Sequence, residues 1–125
     1  MISKTFNLDV NELHTLNKFI HGIISKEDFY VNLILEEVFV NIVDYSKGNF
    51  VKVNVKYEDH TLTVEFIDDG VEFNPLLEKD PEAPDSIEDA KIGGLGIFLT
   101  KQMADDISYE YINGENHLKL TKKLK

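Results

Sequence analysis

The segment LILEEVFVNIVDYS, from Leu33 to Ser46, restricts the fold most, because as a helix it is apolar around nearly its whole circumference. Such a helix is normally buried, so other elements must cover it. An advance of about 100° per residue places Glu37, Asn41 and Asp44 on one narrow polar stripe between apolar walls. A buried carboxylate or amide needs a hydrogen-bond partner, a cation or a ligand. The stripe is therefore either the solvent face of the helix or one wall of a site, and this segment alone does not decide between them.

Signals on both sides of this helix predict a strand and two further helices. The stretch SKTFNL is a short strand candidate, and Asp9 then resembles an N-cap before apolar residues that repeat at helical spacing. Ser25 and Asp28 repeat the capping pattern before the central helix, for which Gly48 is a plausible C-terminal glycine. The stretch GGLGIFLTKQMADD resembles a glycine turn that opens a third helix.

Two β-hairpins are indicated by runs in which apolar and polar residues alternate. VKVNVKY and LTVEFI are separated by the turn-like EDH, and ISYEY and HLKLTKKL lie on either side of NGEN, where Asn113-Gly114 is a strong turn signal. The order strand, helix, helix, hairpin, loop, helix, hairpin predicts an α+β fold. We expect a two-layer sandwich with three main helices on one face of a mixed, mostly antiparallel sheet.

Length and charge narrow the class of protein. With 125 residues the chain has the size of one domain, and its net charge of −10 makes nucleic acid and membrane surfaces poor candidates as partners. The absence of cysteine excludes disulfide and thiolate chemistry. No apolar run approaches the roughly 20 residues that span a bilayer, and MISKTFNLDV lacks the regions of a signal peptide, so we expect a cytoplasmic protein.

Two further motifs could carry chemistry. IDDGVEFNP, from Ile67 to Pro75, is either a plain Asp-Gly turn or a strand end whose carboxylate accepts a hydrogen bond from an exocyclic amine. IGGLGIFLTK, from Ile92 to Lys101, is either a flexible hinge or a helix N-terminus whose exposed amides favour an anion. With the polar stripe, these motifs stand in an order that a nucleotide site needs. The helix offers a metal ligand and a general base, the strand end offers a carboxylate for the nucleobase, and the glycines offer amides for phosphates.

The three motifs resemble those of the ATP-binding domain of the GHKL, or Bergerat-fold, superfamily, and most of all those of the small stand-alone anti-sigma factor serine kinases. EEVFVN resembles the N box and DDGVEFNP the first glycine box. GGLGIFLTKQMADDISYEYINGENHLKLTKKL resembles the second glycine box followed by the terminal hairpin. The likeness covers essentially the whole chain and implies one histidine-kinase-like ATP-binding domain over residues 1–125, with ATP and Mg²⁺ as ligands.

Carried over position by position, the resemblance implies a role for each motif residue. Glu37 would be the general base, and Asn41, one turn later, would coordinate Mg²⁺ at the nucleotide. Asp68 would bind the adenine amino group, with Gly70 beneath the ring. The second glycine box would contact the phosphates through Gly93, Gly94, Leu95 and Gly96. The loop from Asn74 to Lys91, within an ATP lid of about 74–92, would close over the nucleotide.

The resemblance implies an anti-sigma factor and protein serine kinase that regulates transcription by partner switching. Its substrate would be an anti-sigma-factor antagonist of the STAS fold, its other partner a sigma factor, and a homodimer is plausible. An alternative function is a nucleotide-binding module that sequesters a protein without kinase turnover, which is favoured by the acidic lid and by Asp44, where such kinases often carry a basic residue. A third interpretation is a structural α+β protein whose motifs are coincidental.

Overall fold

The computed structural model describes residues 1–26, 28–77 and 100–124. Its strands are β1 (Ile2–Asn7), β2 (Phe50–Glu58), β3 (Thr61–Asp68), β4 (Asp106–Ile112) and β5 (Glu115–Lys123). Its helices are α1 (Leu13–Ile24) and α2 (Phe29–Tyr45), residues 100–103 are also helical, and 3-10 turns lie at Val10–Glu12 and Pro75–Leu77. None of the helices in these ranges is long and apolar enough to cross a membrane.

The five strands form one sheet in the order β1-β2-β3-β5-β4, and each of its four described pairings is antiparallel. In the central strand β3, Val64 and Phe66 are buried, whereas Glu65 lies on the opposite face. The helices cover the apolar face, because Leu16 of α1 and Val38 of α2 belong to the same buried core as these strand residues. The predicted α+β sandwich is confirmed.

The two predicted capping residues before α2 have different roles. Asp28 caps α2, since its carboxylate accepts hydrogen bonds from the first-turn amides of Tyr30 and Val31 at 3.0 and 3.1 Å. Ser25 instead ends α1, in a left-handed conformation with φ of 59°. The capping pattern therefore marks the start of α2, but the predicted cap at Ser25 is wrong, because the helix is capped three residues later by Asp28.

The predicted role of Gly48 as the glycine that ends α2 is also wrong. The helix ends at Tyr45, and the left-handed residue beyond it is Lys47, with φ of 56°. Gly48 is required by close packing instead. A Cβ atom there would lie 2.5 Å from Asp69 Oδ1 and 2.7 Å from the Gly70 nitrogen, so the chain passes too near the end of β3 to carry a side chain.

Both predicted hairpins are confirmed, and both use two left-handed residues at the turn. Asn113 and Gly114 have φ of 52° and 81°, and Asp59 and His60 have φ of 51° and 61°. Two-residue loops with positive φ match the right-handed twist of the strands they join. The two hairpins are joined by the pairing of β3 with β5, in which Asp68, the last residue of β3, lies opposite Asn116.

Candidate functional site

A cleft lies where the C-terminal end of α2 meets the ends of β3, β4 and β5. It encloses about 320 Å³ of empty space, part of which is open to solvent. The cleft is lined by Asn41, Ile42, Ser46, Asp68, Phe73, Pro75, Tyr109, Asn116 and Leu118. The fold thus brings together two of the residues singled out from the sequence, Asn41 of the N-box-like motif and Asp68 of the first glycine-box-like motif.

Three hydrogen bonds hold the buried carboxylate of Asp68, and all three end on the same oxygen. Oδ1 accepts from the Ser46 hydroxyl at 2.8 Å, from the Gly70 backbone N–H at 3.0 Å and from the Asn116 side-chain amide at 3.0 Å. Within the described residues, Oδ2 accepts no hydrogen bond. Because Asp68 lines the cleft and is only 4% exposed, Oδ2 is the oxygen that can accept a donor from a bound molecule.

Gly70 is packed against the end of α2. A Cβ atom at this position would lie 2.0 Å from Ser46 Oγ and 2.1 Å from the Ser46 carbonyl oxygen. That carbonyl also accepts a hydrogen bond of 2.8 Å from the Val71 N–H. The close approach of two backbones explains why glycine is required at position 70. Its place beneath an adenine ring stays a prediction.

The neighbouring acids Glu36 and Glu37 of α2 have different environments. Asn17 of α1 donates a hydrogen bond of 3.0 Å to Glu36, so the Glu36 side chain links α2 to α1. Glu37 is half-buried, and its pKa is raised above the ordinary value, first by burial and then by the charge of Glu36. Glu37 lies one turn before Asn41 but does not itself line the cleft, and Asp44 is exposed.

The remaining predicted site residues lie outside the described residues. These are Gly93, Gly94, Leu95 and Gly96 of the second glycine-box-like motif, together with residues 78–92 of the expected lid. The first lid residues are described: Asn74 accepts a hydrogen bond of 2.9 Å from the Leu76 N–H, at the 3-10 turn Pro75–Leu77. Their roles toward phosphates stay predictions.

Sequence analysis missed the residue with the most hydrogen bonds at the cleft, Asn116. Its amide donates to Asp68 Oδ1 and, at 2.8 Å, to the Val71 carbonyl, and its oxygen accepts from the Phe73 N–H at 3.0 Å and from the Tyr109 hydroxyl. The sequence pattern places Asn116 in the turn NGEN. Its alternation with the buried residues Leu118 and Leu120 is the signal that could have placed this amide on the covered face of the sheet.

Sequence analysis also missed two contacts around the first glycine-box-like motif. The ring of Tyr45, at the end of α2, stacks on that of Phe73 with centroids 5.3 Å apart. Asp69 accepts hydrogen bonds from the Asn49 N–H at 2.7 Å, from its side chain at 3.0 Å and from the Phe50 N–H at 3.1 Å. Burial alone would raise the pKa of Asp69, but these hydrogen bonds outweigh it and hold the pKa below its ordinary value.

The fold and the cleft define a class of nucleotide-binding protein. Helices cover an antiparallel sheet, and a carboxylate at a strand end and an amide on a helix face one cavity, an arrangement suited to a nucleotide. The family model of the histidine kinase-like ATPase domain matches residues 11–122, and the chain belongs to this family. The predicted membership of the GHKL superfamily is confirmed, and ATP is the nucleotide that the family's description implies.

One curated relative adds information on activity. The chain is similar to the serine/threonine-protein kinase BtrW of Bordetella bronchiseptica, with 27% identity over 97 residues that cover 74% of this chain and 68% of the relative. Together with the family match, this similarity supports a kinase-related, ATP-binding member of the family.

Proposed function

We propose that the protein is an ATP-dependent protein serine kinase that acts as an anti-sigma factor in the cytoplasm. The observation that carries the proposal is the shared cleft of Asn41 and Asp68, with Glu37 one helical turn before Asn41. The similarity to BtrW, a serine/threonine-protein kinase, supports transfer to a hydroxyl group. The proposed substrate is a serine of a STAS-fold anti-sigma-factor antagonist, the alternative partner is a sigma factor, and the proposed form is a homodimer.

Two residues of the cleft would recognise ATP and its metal. Asp68 Oδ2 would accept a hydrogen bond from the adenine amino group, since its other oxygen is already saturated. The side-chain oxygen of Asn41 fits Mg²⁺, a cation that takes one or two protein oxygens and completes its shell with phosphates and water. Bound Mg²⁺ supplies neutralisation of the charge on the phosphates. Backbone amides at Gly93, Gly94, Leu95 and Gly96 would hold the phosphates at a helix N-terminus.

Glu37 would accept the proton of the serine hydroxyl during transfer. A raised pKa makes its carboxylate a stronger base than an ordinary glutamate, and above that pKa the base remains ionised. Glu36 is not equivalent, because its carboxylate is engaged by Asn17. The two adjacent acids therefore provide a matched pair for testing the catalytic role.

The decisive experiment incubates the protein with Mg-ATP and a STAS-fold protein that binds it, and follows phosphoserine formation. Glu37→Gln is expected to reduce transfer by at least about 100-fold, a typical loss for a general base, while ADP affinity is retained. Glu36→Gln, measured above the pKa of Glu37, is expected to keep transfer. Wild-type protein that binds both ligands yet forms no phosphoserine would refute the kinase proposal.

A second candidate function is sequestration by a nucleotide-binding module without turnover. It is favoured by the position of Glu37 outside the cleft lining and by the exposed carboxylate of Asp44 at the end of α2. For such a module, Glu37→Gln should change neither partner binding nor nucleotide binding.

A further inference from the structure

Asn116 has no hydrogen-bonding capacity left for a ligand. A side-chain amide offers two N–H donors and two acceptor lone pairs. The donors go to Asp68 Oδ1 at 3.0 Å and the Val71 carbonyl at 2.8 Å, and the lone pairs accept from the Phe73 N–H at 3.0 Å and the Tyr109 hydroxyl. Although Asn116 lines the cleft, it is only 4% exposed, and every hydrogen bond it can make is used within the protein.

The chemistry of its partners fixes the orientation of the Asn116 amide. The Val71 carbonyl and the Asp68 carboxylate accept hydrogen bonds, so both must face the nitrogen. The Phe73 N–H only donates, so it must face the oxygen. An asparagine satisfies this set of donors and acceptors, whereas an aspartate in the same place would set a carboxylate oxygen against Asp68 at about the distance of a hydrogen bond.

These contacts link the base-binding carboxylate to the backbone that follows it. The amide nitrogen of Asn116 holds Asp68 Oδ1, which leaves Oδ2 available to the cleft. The nitrogen and the oxygen together hold the segment 71–73, which leads to Asn74. Phe73 of that segment lines the same cleft. The orientation of the acceptor and the shape of the surrounding wall therefore depend on one side chain.

We propose that Asn116 is a positioning residue for adenine recognition, which sets the preference for a purine with an exocyclic amino group through Asp68 and segment 71–73 without touching the nucleotide. The proposal rests on the nucleotide site proposed above but needs no kinase turnover. Replacing the base's amino donor by an oxygen acceptor would place that oxygen against Asp68 Oδ2. A correctly held Asp68 should therefore reject such a base, and a poorly held one should reject it less.

The test compares the binding of Mg-ADP and Mg-IDP, which carries an oxygen in place of the amino group, by isothermal titration. We expect the wild type to prefer ADP by about 100-fold or more, as hydrogen-bonding sites do. For Asn116→Asp at about pH 8, ADP affinity should fall about 10- to 100-fold and the ADP-to-IDP ratio should fall about 10-fold. The substitution removes the two buried N–H donors of the amide and puts a carboxylate beside the charged Asp68.

A pH series adds a readout that a purely structural role would not move. In Asn116→Asp, two carboxylates would share one site, and a pair of like charges takes up a proton more readily than a lone carboxylate. ADP affinity should therefore partly recover as the pH is lowered. Tyr109 also faces this position, but burial raises the pKa of its hydroxyl further above the ordinary value, so it stays protonated. The wild type should show no such recovery.

Asn54→Asp is the matched control. Asn54 is also a buried strand asparagine that donates to a carboxylate, Glu65, at 3.1 Å, but it lies on the opposite face of the sheet. This variant should lose stability and keep the wild-type nucleotide ratio. If Asn116→Asp does not fold, Tyr109→Phe removes one hydrogen bond to Asn116 and should lower the ratio about two- to five-fold.

An ADP-to-IDP ratio in the Asn116 variant equal to that of the wild type would overturn the proposal, even if both affinities fell together. If only Tyr109→Phe folds, an unchanged ratio in that variant would overturn it. A wild type that binds ADP with the expected preference but transfers no phosphate would refute the kinase function and leave the role of Asn116 standing. A wild type that binds neither nucleotide would refute both.

Discussion

A methyl group added at Gly70 would occupy space that the end of α2 already fills. The ideal Cβ position lies 2.0 Å from Ser46 Oγ, 2.1 Å from the Ser46 carbonyl oxygen and 2.6 Å from its carbonyl carbon. Two of these atoms belong to the backbone, so rotation of a side chain cannot relieve the overlap. For Gly70→Ala to fold, the end of α2 and the strand end must move apart.

The cost can be worked out from the contacts that this movement disturbs. Overpacking in a buried place costs about 1–3 kcal/mol. The hydrogen bonds from Val71 N–H to Ser46 and from Ser46 to Asp68 contribute about 1 kcal/mol each, and both lie at the point of contact. Gly70→Ala should therefore lower the free energy of unfolding by about 3–5 kcal/mol. It should also weaken ADP binding, because Asp68 loses the fixed donor Ser46.

Gly22→Ala is the matched control for the same chemical change. Gly22 is exposed within α1, and a Cβ there would meet no atom within 4 Å. Alanine is favoured over glycine inside a helix by about 1 kcal/mol, so this variant should be more stable than the wild type. Urea denaturation with unchanged m-values would measure both effects. A Gly70→Ala protein as stable as the wild type would refute the packing argument.

Three further predictions concern ionisation, a turn and a cap. Because the pKa of Glu37 is raised in the folded state, its ionisation costs stability as pH rises above the ordinary value of 4.5. Glu37→Gln should therefore have a higher free energy of unfolding than the wild type at pH 7, and this difference, measured by urea titration, should disappear at more acidic pH. A difference that does not change with pH would contradict the prediction. Replacing Asp59-His60 by Asn-Gly should add about 1 kcal/mol to the free energy of unfolding and so raise the melting temperature, because both positions have positive φ. Asp28→Ala should lower the free energy of unfolding in urea by about 1 kcal/mol, because two α2 amides lose their acceptor.

The elements of the fold could be predicted from sequence because their signals are local. The polar and apolar alternation of β2 and β3 and the turn at Asn113-Gly114 each depend on neighbouring residues, and the structure confirms them. The role of Gly48 could not be found in this way. A glycine after a helix is usually read as a left-handed cap, but this one is required by Asp69 and Gly70, which lie more than 20 residues further along the chain.

The site residues likewise fall into those that local sequence motifs predict and those that only the fold reveals. Asn41 and Asp68 stand in recognisable motifs, and the fold brings both to one cleft. Ser46 and Asn116 stand in none, because their importance comes from meeting Asp68 across 22 and 48 positions of sequence. Hydrogen bonds between distant residues have no sequence period, so only the register of the sheet and the end point of α2 make them visible.

The contacts around Asp68 tie the helix with the proposed catalytic residues to the strand that would bind the base. Ser46, directly after α2, donates to Asp68 and accepts from Val71, while the ring of Tyr45 stacks on Phe73. Asn116 holds the same segment from the side of β5. Asn41, the proposed metal ligand, lies little more than one turn before the end of α2. A shift of this helix that moved Asn41 would therefore also strain the hydrogen bonds of the Asp68 carboxylate. In the proposed function, one connected group of hydrogen bonds would thus set the position of the base relative to Asn41, as phosphoryl transfer over a fixed distance requires.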